Sequence, residues 1–339
     1  MMKYYSLILL FFVLKFQSEA QIPVKNMVFE GAGIRGIAYS GVIAEFEKAG
    51  LLDSLERVGG TSAGAITALA LALGYKADEI QNIIYNTDFG KFNSGRFFFF
   101  GGGNRMLKRY GWYRCDKFYD WLDKIIESRT NNPDITFREM HEKGYKDLYV
   151  TGVSLSSQKL IIFSKDTYPD MKIRDAVRIS MSVPLYFQAA FIDSTGKVYS
   201  KPARDQQLDV VIDGGVLMNF PIQIFDKKDS SGNRVPDRAT VGVRIDSDEQ
   251  IAYDNSNKGL APYEINNLQD YVGAFYIIIL ENLNRASLTA DDWKRTVSVS
   301  SVNIGPRVKK LSSSQKHLLI GSGRKSAVKF IEGRKGSQD

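Results

Sequence analysis

The 339-residue sequence predicts an α/β fold with a mostly parallel central sheet, and three observations predict it. A glycine-rich stretch at residues 31–36 (GAGIRG) follows a short apolar run and opens a run with helical spacing. A second one at residues 60–64 (GTSAG) does the same. Further on, the β-branched run Val210-Val211-Ile212 ends in Asp213 and two glycines. Strand, glycine turn, helix, strand, serine turn, helix is the order of parallel α/β units.

The elements follow in chain order. Residues 26–30 (NMVFE) read as a short buried strand. Ile37, Gly41, Ala44 and Phe46 recur at helical spacing, and Ala49-Gly50 closes that helix. Residues 55–59 lead a second strand into the turn at Ser62. Residues 65–73 (AITALALAL) are apolar on nearly every face, which predicts a buried helix. Residues 117–128 read as an amphipathic helix, 149–155 and 160–164 as a strand pair around Ser156-Ser157, and 173–181 as a helix stopped by Pro184. Strands are expected at 210–213 and 240–246, a polar loop at 226–238, and helices at 263–286 and 316–332.

Composition places the chain among ordinary globular proteins: 44% hydrophobic and 24% charged residues exclude a disordered chain. The formal net charge of +7 favours anionic partners: phospholipid surfaces, acidic substrates or nucleic acid. Residues 1–20 have the pattern of a secretory signal peptide. Lys3 supplies the positive start, residues 6–14 (SLILLFFVL) the apolar core, and Ser18-Glu19-Ala20 the small residues of a cleavage site. A retained anchor is the rival reading, but Lys15 breaks the run short of the ~20 apolar residues that span a bilayer. The expected protein is therefore exported: secreted, periplasmic or membrane-associated. Cys115 is the single cysteine, so no intrachain disulfide can form, and no cysteine or histidine cluster points to a metal.

The turn Gly31-Ala32-Gly33-Ile34-Arg35-Gly36 fits G-x-G-x-x-G, and a lone match admits three readings. It is a dinucleotide turn with Asp53 as the ribose acid, an oxyanion hole of backbone amides, or a plain tight turn. Asp53 precedes the second strand, whereas the ribose acid should end it. Gly60-Thr61-Ser62-Ala63-Gly64 is a G-x-S-x-G pattern, which puts a serine on a strained turn between strand and helix. Gly60 and Gly64 relieve crowding there. A helix N-cap serine is the rival reading. A nucleophilic serine needs a base, and the chain has only His141 and His317, neither in a motif. Asp213, at a strand end, is the better candidate to take the Ser62 proton and return it to the leaving group. Without Ser62, Asp213 would read as an aspartate opening a D-G turn.

The order of these motifs resembles the patatin-like phospholipases. The resemblance rests on residues 29–36 (FEGAGIRG), 60–64 (GTSAG), the Ser180-Met181-Ser182-Val183-Pro184 segment and residues 213–221 (DGGVLMNFP), and covers about residues 26 to 225. Ala32 departs from the pattern, standing where glycine is frequent. The resemblance implies a three-layer α/β fold and hydrolysis of acyl esters of lipids through a Ser-Asp dyad. It implies Ser62 as nucleophile, Asp213 as base, the 31–36 amides as oxyanion hole, and no cofactor. The domain layout expected is a signal peptide at 1–20, a catalytic domain at 21–225, and a partly helical extension of that domain at 226–339.

A lipid acyl hydrolase must reach a membrane. Phe97, Phe98, Phe99 and Phe100 lie beside Arg96, Arg105, Lys108 and Arg109. This suits an interfacial loop with rings in the acyl boundary and cations at anionic headgroups, or else a strand feeding the core. The partner expected is thus a phospholipid or other acyl-ester lipid at a membrane surface, not nucleic acid. A lipid acyltransferase using the same dyad, and a nucleotide-binding oxidoreductase using the Gly31 turn, are the alternative activities.

Overall fold

The computed structural model describes residues 22–93, 103–199, 207–256, 258–306 and 310–336. The expected signal peptide and the run from Arg96 to Phe100 lie outside the described residues.

Nine strands form one mixed sheet flanked by helices on both faces. In chain order they are β1 (Asn26–Phe29), β2 (Arg57–Gly60), β3 (Asp147–Ser154), β4 (Lys159–Phe163), β5 (Ala190–Ile192), β6 (Val198–Tyr199), β7 (Asp209–Asp213), β8 (Thr240–Asp246) and β9 (Thr296–Ser300). The sheet runs β9-β8-β1-β2-β3-β7-β5-β6, with β4 also on β3. From β9 to β3 every pairing is parallel. The pairings of β7 with β3 and β5, of β5 with β6, and of β3 with β4 are antiparallel.

The central strands are buried on both faces, which is why they read as unbroken apolar runs. Met27, Val28 and Phe29 are completely buried, as are Val243 and Ile245 on β8. Helix α1 (Ala38–Lys48) follows the first glycine turn, and α2 (Ala63–Ala72) follows Ser62. As its all-apolar sequence requires, α2 is buried from Gly64 to Ala72. The helix α3 (Ala77–Asn86) then packs mainly on α1. Helix α4 (Ile173–Ser180) ends just short of Pro184. The helices α5 (Leu268–Arg285) and α6 (Ser313–Gly336) come from the last third of the chain, where two of the nine strands, β8 and β9, also arise. Among the described residues no helix is long and apolar enough to cross a membrane.

Asp213 ends a strand that runs antiparallel to β3, not parallel to it as the motif order suggests. It still reaches the crevice because β3 overshoots its neighbour. Gly60, the last residue of β2, pairs with Val150, and β3 continues to Ser154. The strand β7 descends along that overhang and ends with Asp213 opposite Gly152, close to the level of Gly60.

Candidate active site

Ser62 sits where the sequence puts it, between β2 and α2, with φ of 53° and ψ of −122°. This left-handed backbone is costly for a serine and holds only because its surroundings fix it. The flanking glycines show how. A Cβ on Gly64 would lie 2.3 Å from the Phe29 carbonyl oxygen, and one on Gly60 would lie 2.4 Å from the Gly64 carbonyl. Only bare backbone lets α2 press this closely on β1 and β2. The side chain of Ser62 makes no capping bond, so the N-cap reading fails. Its backbone N–H donates to Ser180 Oγ at 2.9 Å, so the S-x-S-x-P segment anchors the strained turn. Thr61 shares a 2.6 Å hydroxyl bond with Thr151 and donates to the Met218 carbonyl at 2.9 Å.

Asp213 is 5% exposed. Its Oδ1 accepts the Gly215 N–H at 2.8 Å, and its own N–H donates to the Ser182 carbonyl at 3.1 Å. Burial pushes its pKa up to about 7, against the pull of the Gly215 amide and the Ser62 hydroxyl, which favour the charged form. A carboxylate poised near neutrality next to a serine hydroxyl can exchange a proton with it. Neither histidine has a part in this. His141 bonds Asp147 at the surface, and His317 lies exposed against Tyr85.

The glycine turn packs directly on the elbow: a Cβ on Gly31 would lie 3.3 Å from Ser62 Cβ. Its six amides are not equivalent. The Gly31 N–H donates to the Asn219 carbonyl at 3.0 Å, Ile34 to the Pro306 carbonyl at 3.3 Å, and Arg35 to the Ala32 carbonyl at 3.2 Å. Gly36 lies inside the 3-10 turn Gly33–Ile37. Ala32 and Gly33 keep amides with no acceptor among the described residues, and so does Ala63, the first residue after Ser62. Of the six amides expected to form an oxyanion hole, tertiary contacts thus consume Gly31 and Ile34 and a bond within the turn consumes Arg35, which leaves Ala32 and Gly33 free, with Ala63 as a third. The departure at Ala32 is harmless. Ala32 has φ of −129°, and the positive φ of 55° falls on Gly33, where a Cβ would strike the Pro306 carbonyl at 2.0 Å. Asp53 lies in the chain before β2, at the end of the sheet opposite the Gly31 turn, so it has no part in a ribose site there.

Sequence reasoning assigns no role to Asn219, although it lies within the 213–221 run. It clasps Gly31 twice, accepting from the Gly31 N–H and donating from Nδ2 to the Gly31 carbonyl at 3.0 Å. Asn284 on α5 accepts the Asn219 N–H and donates to the Gly215 carbonyl at 3.3 Å. Met181 has no assigned role either; its sulfur accepts from Ser62 Oγ at 3.5 Å. Beside it lies an apolar cavity of about 40 Å³, lined by Gly33, Ala63, Ile66, Phe89, Phe92 and Phe187 among others. Arg105 corrects another expectation. It is buried, with Nε on the Trp112 carbonyl at 3.1 Å, so it does not offer its charge to a headgroup. Lys108 is exposed.

The chain has recognisable relatives. The family model described as patatin-like phospholipase matches residues 27–226, more than half of the chain. A protein called R571 from Acanthamoeba polyphaga mimivirus, uncharacterized, is 27% identical over 316 residues, covering 93% of this chain and 95% of its own. The probable lipid hydrolase 463L of invertebrate iridescent virus 6 is 26% identical over 214 residues, 62% of this chain and 66% of its own. Among solved structures, VipD from Legionella pneumophila superposes with a TM-score of 0.58 at 15% identity, covering 91% of this chain and 67% of VipD.

Proposed function

The chain belongs to the patatin-like phospholipase family, and from that premise we propose that it is a serine lipid acyl hydrolase of phospholipase A or lysophospholipase type, working through a Ser62–Asp213 dyad. One observation carries the reading: a serine held at positive φ on the elbow shares its site with a buried aspartate whose pKa stands near 7.

Ser62 Oγ attacks the ester carbonyl carbon while its proton passes to the Asp213 carboxylate. The carbonyl oxygen gains negative charge, and the free amides of Ala32, Gly33 and Ala63 are the donors available to stabilise it. The tetrahedral intermediate collapses, the C–O bond to the alcohol breaks, and Asp213 returns its proton to the departing oxygen. Water then gives a proton to Asp213 and attacks the acyl-enzyme. The carboxylic acid leaves and Ser62 regains its proton. No step needs a metal or organic cofactor.

The site of action proposed is an anionic membrane surface outside the cytoplasm, supported by the signal-peptide pattern of residues 1–20 and the net charge of +7. Phe97 to Phe100 would enter the acyl boundary; the double change Phe98→Ser with Phe99→Ser should then weaken vesicle binding and spare a soluble ester. Equal loss on both substrates would place these rings in the core. The dyad is tested by a fluorophosphonate probe on the mature protein, with the adduct mapped by mass spectrometry. Labelling at Ser62, absent in Ser62→Ala together with a rate loss of several orders of magnitude, is expected. Undiminished turnover by a folded Ser62→Ala protein would end the assignment.

A further inference from the structure

A second cavity, of about 230 Å³, adjoins the apolar one across a shared wall of Ile34, Ile37, Ile84 and Phe89. Its chemistry is different: Lys91, Lys310 and Lys316 line it, with Asp88 as the acid among them. Two distant parts of the chain bring these cations together. Lys91 comes from the turn Phe89–Phe92 after α3; Lys310 and Lys316 come from the approach to α6 and its first turn.

Lys91 and Lys310 are exposed, and Lys316 is half-buried. None of the three forms a salt bridge among the described residues, and Asp88 Oδ1 is occupied by the Gly90 N–H at 3.1 Å. Lys316 is held in place, donating to the Tyr85 carbonyl and lying 4.7 Å over the Tyr85 ring. Three lysines and one aspartate give the lining an excess of positive charge. An anion that enters offsets this excess and accepts charge-assisted hydrogen bonds. Ile34, in the shared wall, also belongs to the glycine turn beside Ser62. The apolar cavity reaches Ala63 and Met181 beside Ser62, and the cationic one adjoins it through Ile34 and its neighbours in the shared wall.

We propose that Lys91, Lys310 and Lys316 form a binding site for a phosphate group, which the headgroup of the lipid substrate supplies. The proposal rests on the hydrolase reading and assigns its headgroup selectivity to these residues. The protein should cleave acyl esters of phosphate-bearing lipids in preference to neutral acylglycerols of the same chains.

The variant is the double change Lys91→Gln with Lys310→Gln in the full mature protein, leaving Lys316 and its Tyr85 contact in place. It is compared with wild type on phosphatidylglycerol and diacylglycerol in the same neutral detergent micelles, and on p-nitrophenyl butyrate. The expected result is a loss of about tenfold or more in kcat/KM on phosphatidylglycerol, carried by KM, with the other two substrates unchanged. A thermal-shift titration with inorganic phosphate separates the sources. If phosphate raises the wild-type Tm but not that of the variant, while lipid selectivity is the same in both, the site takes free phosphate instead of a headgroup. If neither the selectivity nor the phosphate response changes in the folded variant, the site is disproved. If wild type cleaves none of the three esters, the hydrolase reading falls, and the phosphate titration still decides this one.

Discussion

Asp213 has two demands placed on it that pull against each other. As the base of the proposed dyad it must titrate near neutrality, and burial supplies that by raising its pKa from 3.8 to about 7. The same burial costs stability. Its folded pKa is raised above the unfolded value, so the native state binds this proton more tightly. The contribution of Asp213 to stability is most favourable below pH ~4, falls as pH rises through the interval, and is lowest above pH ~7. Asp213→Asn should therefore abolish turnover yet unfold at a higher temperature than wild type at pH 8. The two melting points should converge near pH 4, where the carboxyl is neutral in the native state. For wild type, kcat/KM should rise with pH and level off above about 7. A melting point that drops at pH 8 would mean that burial does not strain Asp213, and a pH profile without that rise would mean that it is not the base. At this scale much was legible. The positions of Ser62 on a positive-φ turn and of Asp213 at a strand end follow from short local patterns, as do the glycines that let α2 pack on β1. Which amides remain free was not legible, since Asn219 and Pro306 claim theirs from far along the chain.

Helix α5 shows why elements outside the motifs read less well. The sequence predicts a helix at 263–286 and the structure has it at Leu268–Arg285, but the contacts of its described residues Glu281, Asn284 and Arg285 are ionic and amide, which hydrophobic spacing does not reveal. Arg244, 1% exposed in the middle of β8, meets Asp246 at 2.6 Å and Glu30 at 3.4 Å, and α5 closes over them with Glu281 and Arg285. Trp293 lies 5.1 Å from the Arg244 guanidinium. The strand β9 (TVSVS) was missed because its alternating serines and threonine look solvated in sequence, although α6 covers it. Asn284 is the residue of α5 that bears on the site, bonding both the start and the end of the segment between Gly215 and Asn219. It thereby holds Asn219 on the Gly31 turn. Asn284→Ala should lower kcat on a soluble ester by about tenfold while KM stays nearly constant, because the oxyanion donors lose alignment and no substrate contact is removed. Restoration by Asn284→Gln is not expected, since the longer side chain cannot make both bonds. A KM effect with unchanged kcat would place Asn284 in substrate binding instead.

Across the whole molecule, the family match stops at residue 226, but the sheet does not. The strand β8 pairs with β1 from Asn26–Thr240 to Phe29–Val243, on the side of β1 opposite β2. It stands within the parallel part, between β1 and β9. Helix α6 packs on α1 so closely that a Cβ on Gly41 would lie 2.1 Å from the Ile320 carbonyl, and one on Gly323 would lie 2.0 Å from that of Ala38. Removing residues 227–339 would leave β1, with its fully buried Met27, Val28 and Phe29, as a bare edge, and would uncover α1. Glu30 would lose Arg244, the cation that compensates its buried charge. A bare apolar edge of this kind is a template for pairing with other chains. A fragment of residues 21–226 should therefore be insoluble or aggregated, without the cooperative thermal transition of the full chain. It should also be without esterase activity, even though it contains Ser62, Asp213 and the whole glycine turn. Size-exclusion chromatography and far-UV circular dichroism on the two proteins decide it. A monomeric, cooperatively folding fragment would mean that the catalytic core closes its sheet without β8. The Asn284 contact would then be an adjustment to a site already formed, and the effect of Asn284→Ala should shrink accordingly.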